Sequence, residues 1–148
     1  MHNYYDALGD ILKYLVCGRR VEDGVDFPKL QEEILDEIDR RITIINSQLS
    51  RKLFERRPPS LRKFKIYKAV EDRVMSLYFF NIIAEVIPDE RVKKILNIFF
   101  VVGRIFETQR LIEDYCPDSI LPLIRYLVDL LVECFGRRCI TYNRFLSY

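Results

Sequence analysis

Ile95-Leu96-Asn97-Ile98-Phe99-Phe100-Val101-Val102 is the stretch that decides the fold of this 148-residue chain. Its large apolar side chains are too dense to lie on one helix face, and a helix that is apolar on all sides is surrounded by other helices. We therefore expect a helix from about Asp89 to Tyr115 to form the central element, with the rest of the chain wrapped around it.

The N-terminal part of the chain predicts two amphipathic helices. Apolar residues recur at helical spacing from Asn3 or Tyr4 to about Cys17. Asp26 followed by Pro28 is typical of an N-cap and a first helical turn, so we expect the second helix to begin there. Its apolar face is predicted to continue to Leu53, and Pro58-Pro59 ends it.

The following block, from Leu61 to Ile87, changes character midway. Ser60 can cap its start, and its first half is basic, whereas the second half is rich in large apolar residues. We expect a break or a looser turn between the two halves. Further helices are predicted over 120–135 and, as a short closing piece, over 140–146.

These blocks predict a single domain over residues 1–148 of the all-α class, with five to seven helices around a buried central hairpin. The sequence has no strand-length alternation of apolar and polar residues, which would indicate a sheet. No apolar run approaches the roughly 20 residues that a membrane-spanning helix needs. The N-terminus lacks the pattern of a secretory signal, and the chain ends in a polar stretch unlike a tail anchor.

Composition argues against catalysis. The single histidine is His2, which removes most histidine-based metal sites and general-base chemistry. The four cysteines form no Cys-x-x-Cys pair, which argues against zinc, and they indicate a reduced, cytosolic protein with free thiols. Nucleotide-binding and hydrolase motifs are absent. We expect no enzymatic activity and no cofactor.

One segment concentrates positive charge on a chain whose net charge is only +2. Between residues 51 and 68, eight lysines and arginines stand against Glu55 alone, with Phe54, Phe64 and Tyr67 interleaved. This composition fits a phosphate-and-stacking surface for nucleic acid. The favoured interpretation is a solubilising loop and helix start.

Four segments, in order, resemble the B-cell lymphoma two (Bcl-two) family of apoptosis regulators. Tyr4 to Leu15 resembles the family's opening helix, and Leu30-x-x-x-Ile34-x-x-x-Ile38-Asp39 resembles its BH-three signature. Arg73-Val74-Met75 resembles the start of the fourth helix, and Ile120 to Val132 resembles the sixth. The resemblance implies a Bcl-two-like helical bundle.

The chain departs from the family at its signature motifs. Pro88 to Val92 stands where the family has Asn-Trp-Gly-Arg, and Gly103-Arg104-Ile105 keeps Gly-Arg-Ile but further along the same helix. The chain has no tryptophan. A compact, anchorless chain with eroded signatures looks more like a viral member of the family than a cellular one.

The resemblance implies an inhibitor of apoptosis that sequesters pro-apoptotic host proteins by their amphipathic BH-three helix, in a hydrophobic groove. It implies a location in the host cytoplasm, with the mitochondrial surface reached through partners. For the arginine that faces the ligand's aspartate, Arg91 is favoured over Arg104. The groove residues implied are Ile45, Leu49, Leu53, Val74, Met75, Tyr78, Ile95 and Phe99.

Two other functions stay open: a viral inhibitor of host inflammatory signalling with the same fold, and a small helical scaffold that binds nucleic acid through residues 51–68. Nucleic acid is not expected as a partner on the favoured interpretation. Aromatic residues near both ends of the chain, such as Tyr5 and Tyr148, also predict self-association into a homodimer.

Overall fold

The computed structural model describes residues 2–22, 24–49, 57–109 and 120–137. Within these ranges the chain is mostly helical, and its β pairing is an isolated bridge between Arg19 and Phe27. The all-α class predicted from the sequence is confirmed. The α-helices are α1 (His2–Cys17), α2 (Glu32–Gln48), α3 (Ala69–Val74), α4 (Phe80–Ala84), α5 (Glu90–Gln109) and α6 (Leu121–Phe135). A 3-10 helix (Leu61–Ile66) precedes α3, and a π-helical segment (Met75–Phe79) joins α3 to α4.

Helix α1 matches the sequence prediction. Its apolar stripe, which includes Leu8, Leu12 and Leu15, is buried in the core. Gly18 ends the helix in a left-handed conformation with φ of 75°, and a Cβ there would lie 2.9 Å from the backbone of Phe27 and Lys29. Only glycine fits this turn without strain.

The start of α2 differs from the prediction. Asp26 does not cap a helix, because its Oδ1 accepts a hydrogen bond from the backbone N of Val21 at 2.9 Å. Phe27 is extended and exchanges two backbone hydrogen bonds with Arg19. Its buried ring packs edge-on against Phe135, with ring centroids 4.8 Å apart. This packing requires an extended chain, so α2 begins only at Glu32.

The end of α2 also differs from the prediction. The helix ends at Gln48, and Leu49 has an extended conformation with φ of −82° and ψ of 138°. The guanidinium of Arg57 donates to the backbone carbonyls of Asn46 and Leu49, which satisfies acceptors at the helix end. The predicted extension to Leu53 falls on residues that lie outside the described ranges.

The expected break inside the Leu61–Ile87 block is confirmed. Tyr67 and Lys68 are extended between the 3-10 helix and α3. Ser60 caps the 3-10 helix as predicted, because its Oγ accepts from the backbone N of Arg62 at 3.2 Å. The π-helical segment then shifts the helical register before α4 begins.

Helices α5 and α6 pack against each other, and α5 also contacts α4 and the π-helical segment. The pair is not buried on all sides as predicted, because α6 exposes Leu121 and Tyr126. The core side of α5 includes Ile95, Phe99 and Val102, all fully buried. The prediction that α5 is covered on every side is wrong, because Val101 is 44% exposed and its neighbours on the same face are also exposed. The predicted end of this helix at Tyr115 and the short piece over 140–146 lie outside the described ranges.

Candidate functional site

The structure separates the groove residues implied by the resemblance into two groups. Val74, Met75, Ile95 and Phe99 belong to the hydrophobic core and are at most 5% exposed. Ile45, Leu49 and Tyr78 are half-buried, and Leu53 lies outside the described ranges. The first group faces the interior in this conformation, so a ligand cannot contact these side chains unless the helices separate.

Arg91 lies at the start of α5 among carboxylates. Its Nη2 is 3.2 Å from Oδ2 of Asp89, and its Nη1 is 3.8 Å from Oε1 of Glu133. Asp89 also accepts hydrogen bonds from the backbone N of Arg91 at 2.8 Å and of Val92 at 3.3 Å. Partial burial opposes ionisation of Asp89, yet the hydrogen bonds from Arg91 hold its pKa below the ordinary value. Arg91 therefore stabilises the first turn of α5.

A cavity of about 230 Å³ beside Arg91 is acidic. Asp26, Asp89 and Glu133 line it together with Arg91, and Cys134 lies at its inner wall. Burial raises the pKa of the Cys134 thiol to about 11, so this sulfur is protonated at neutral pH. Three carboxylates around one guanidinium repel an incoming carboxylate.

The exposed face of α5 forms a separate surface. Lys94, Asn97, Val101 and Arg104 are all exposed, and their spacing of three, four and three residues places them on one side of the helix. We call these four residues the α5 strip. The sequence did not single out this strip, because its apolar pattern predicted coverage on all sides.

The side chain of Arg104, in the α5 strip, is fixed by a hydrogen bond and by two aromatic rings. Its Nη2 donates to the carbonyl oxygen of Leu77 in the π-helical segment at 2.8 Å. Its guanidinium carbon lies 4.8 Å from the ring centroid of Phe100 and 5.6 Å from that of Tyr78. Both distances are within the range of cation–π attraction. The result is an arginine fixed on a half-buried aromatic platform at the protein surface.

Helix α6 borders the other side of the α5 strip. The proximity of Arg91 to Glu133 aligns the start of α5 with the end of α6, so the two helices run antiparallel. At 1.5 Å per residue, this alignment brings Tyr126 to about the level of residues 97–101. Tyr126 is 45% exposed. The α5 strip therefore lies between an aromatic residue of α6 and the aromatic platform of Arg104.

The described part of the basic segment has arginines in internal contacts, whereas Lys63, Lys65 and Lys68 are exposed. Arg62 donates to Asp39, Asp36 and Glu32 of α2 at 2.7 to 2.8 Å. The side chains of Phe64 and Tyr67 pack against the core. They are therefore not displayed for stacking on bases, which weakens the nucleic-acid interpretation. Residues 51–56 lie outside the described ranges.

Ion pairs between helices were not foreseen from the sequence. Arg73 of α3 binds Glu107 of α5 through two hydrogen bonds of 2.6 and 2.8 Å. Arg41 of α2 binds Glu85, just after α4, at 2.8 Å. These partners are so distant along the chain that no local spacing of charges predicts their pairing. The ion pairs become evident only when the helices are packed.

No protein-family model, curated protein or solved structure matches this chain. Of the helices described here, none has the combined length and apolar character needed to cross a bilayer. In the same residues, no three His, Cys, Asp or Glu side chains converge in a way that could hold a metal ion.

Proposed function

We propose that this protein binds an amphipathic helix of a partner protein along the α5 strip. The observation that carries the proposal is the guanidinium of Arg104, fixed over Phe100 and Tyr78 beside the exposed side chain of Val101. An arginine on an aromatic platform beside apolar surface has the composition of a protein-interaction hot spot.

The chemistry of this surface matches one class of ligand. The ring of Tyr126 and the side chain of Val101 offer apolar contacts to the anchors of an amphipathic helix, which recur every three or four residues. Arg104 offers a charge-assisted hydrogen bond to an acidic residue on that helix. The ligand we propose is therefore a helix with an apolar face and at least one carboxylate beside it.

The proposal assigns the ligand's carboxylate to Arg104 rather than to Arg91. Arg91 lies at a cavity with three carboxylates, which oppose a fourth. Arg104 is exposed beside apolar side chains, where a carboxylate and an apolar helix face can be bound together. In this proposal Val74, Met75, Ile95 and Phe99 support the surface from within the core.

The biological part of the proposal comes from the resemblance described above. The partners are pro-apoptotic host proteins with a BH-three helix, and binding them would inhibit apoptosis in the host cytoplasm. A virus-encoded protein of Bcl-two-like architecture would act in this way. The all-α fold, in which α5 packs against α6, supports this proposal.

A binding titration tests the proposal. Isothermal calorimetry with BH-three peptides of roughly 20–25 residues should give saturable binding, with induced peptide helicity by circular dichroism. Arg104→Ala should weaken binding by about 2 kcal/mol, roughly thirtyfold, because the ligand's carboxylate loses its partner. Val101→Asp should weaken it as well, by placing a charge against the apolar face.

The comparison variant is Arg91→Ala, which should leave affinity within about twofold. Thermal melts of each variant exclude loss of the fold, since Arg104 also binds the Leu77 carbonyl. Loss of binding in Arg91→Ala but not in Arg104→Ala would show that the ligand's carboxylate binds Arg91, beside the acidic cavity. Absence of binding to every peptide would refute the proposed function.

A further inference from the structure

Two cations lie at opposite ends of the α5 strip. Lys94 and Arg104 are both exposed and are separated by ten residues, which corresponds to about 15 Å along the helix axis. Asn97 and Val101 lie between them and carry no charge. Glu90, one turn before Lys94, has Lys93 within 3.6 Å of its Oε1. The strip therefore presents two positive ends and an uncharged middle.

We infer that the bound helix carries two carboxylates eleven residues apart, one facing Lys94 and the other facing Arg104. This inference rests on the proposed function and specifies its ligand. Positions eleven residues apart return to within about 20° of the same helix face and are separated by about 16 Å, close to the separation of the two cations. Positions seven residues apart also share a face, but they are separated by only about 10 Å.

The two contacts have different roles because the two cations are held differently. Arg104 is fixed by the Leu77 carbonyl and the Phe100 ring, so it loses little freedom on binding. Lys94 has a flexible aliphatic stem and lies at the exposed end of the strip. All ligands place one carboxylate against Arg104, and Lys94 discriminates between them according to the position of the second carboxylate. The contribution of Lys94 to affinity decreases as salt increases.

Two designed peptides of identical composition test this inference. Both are amphipathic helices of about 22 residues with the same apolar face, and their two aspartates are separated by eleven residues in one and by seven in the other. Wild-type protein should bind the eleven-residue peptide about three- to fivefold more tightly, as measured by fluorescence anisotropy. The preference should shrink in high salt.

Lys94→Gln should abolish the preference between the peptides while both still bind. Lys29→Gln removes an exposed lysine from the segment before α2 and should leave the preference intact. Equal binding of both peptides to the wild type, or a preference that survives Lys94→Gln, would overturn the spacing inference and leave the proposed function standing. Binding of neither peptide would count against the proposed function itself.

Discussion

At the scale of single residues, Asp39 shows how one carboxylate joins two elements. Its Oδ1 accepts from the backbone N of Leu61 at 2.8 Å, and its Oδ2 accepts from Ser60 Oγ at 2.6 Å and Arg62 Nη1 at 2.8 Å. The resemblance to the BH-three signature singles out the same residue. In the folded chain, Asp39 joins α2 to the start of the 3-10 helix.

Replacement of Asp39 should therefore destabilise the fold. Asp39→Ala removes the acceptor for three donors that are partly buried, and we expect the free energy of unfolding to fall by about 1–3 kcal/mol. Urea denaturation followed by circular dichroism measures the change. Asp36→Ala is the matched control on the same helix. The side chain of Asp36 is 72% exposed and, within the described residues, accepts a hydrogen bond from Arg62 only.

The control should change stability by less than about 0.5–1 kcal/mol, the usual effect of an exposed ion pair. Equal destabilisation by Asp39→Ala and Asp36→Ala would mean that the three hydrogen bonds contribute nothing beyond surface charge. Ser60→Ala removes one of the three donors to Asp39 together with the cap at Arg62 N, and it should also destabilise the fold.

At the scale of elements, Arg41 connects α2 to α4, and Glu37 on α2 binds both Arg40 and Arg41. Arg40 Nη2 lies 2.6 Å from Glu37 Oε1, and Arg41 Nε donates to the same oxygen at 3.0 Å. Arg41 also reaches Glu85 and the carbonyl of Ile82 at the end of α4. Glu37 thus orients the arginine that ties α2 to α4.

This arrangement predicts a dependence of stability on pH. Hydrogen bonds from Arg40 and then Arg41 lower the pKa of Glu37 from 4.5 to about 2. Because the folded pKa is lower than the unfolded one, ionised Glu37 stabilises the fold above about pH 4.5, and this contribution is lost as the pH falls towards 2. In Glu37→Gln, stability should therefore decrease less steeply as the pH falls from about 4.5 to 2.

Thermal midpoints recorded between pH 2 and pH 6 measure the effect, which is small because Glu37 is close to solvent. Glu33→Gln removes the same charge from α2 and corrects for the change in net charge. The double variant Arg40→Gln/Arg41→Gln removes the donors, and its thermal midpoint should also depend less on pH over the same range. An unchanged acid profile in both Glu37→Gln and the double variant would contradict this role.

At the scale of the whole molecule, the core connects the two ends of the described chain. Arg19 Nε donates to the carbonyl of Phe135 at 2.7 Å, and the guanidinium lies 4.9 Å from the ring centroid of Tyr14. The rings of Tyr14 and Phe27 both pack on Phe135. The segment between α1 and α2 therefore closes over the end of α6.

Self-association is the prediction that belongs to this scale. The aromatic residues that motivate it near the C-terminus lie outside the described ranges, and the exposed Leu121 and Tyr126 of α6 add apolar surface of the same kind. We expect light scattering at tens of micromolar to give twice the mass of one chain. A mass equal to one chain across this concentration range would refute the homodimer.

The sequence by itself determined the features that depend on near neighbours. The burial pattern of α1 follows from apolar residues at helical spacing, and the cap at Ser60 depends on a donor two residues away. The break at Tyr67 and Lys68 follows from a local change of composition. Such features are formed by contacts within one or two turns, so the local sequence contains the required information.

Only the tertiary structure decided which surfaces are covered. Phe27 is extended because Phe135 packs on it, which delays the start of α2 against the local capping signal. Val101 is exposed although its sequence neighbours are apolar, since no described helix covers that side of α5. The platform under Arg104 likewise requires α5 and the π-helical segment to meet. Periodicity predicts that a helix has an apolar face, but burial of that face depends on partners that are distant along the chain.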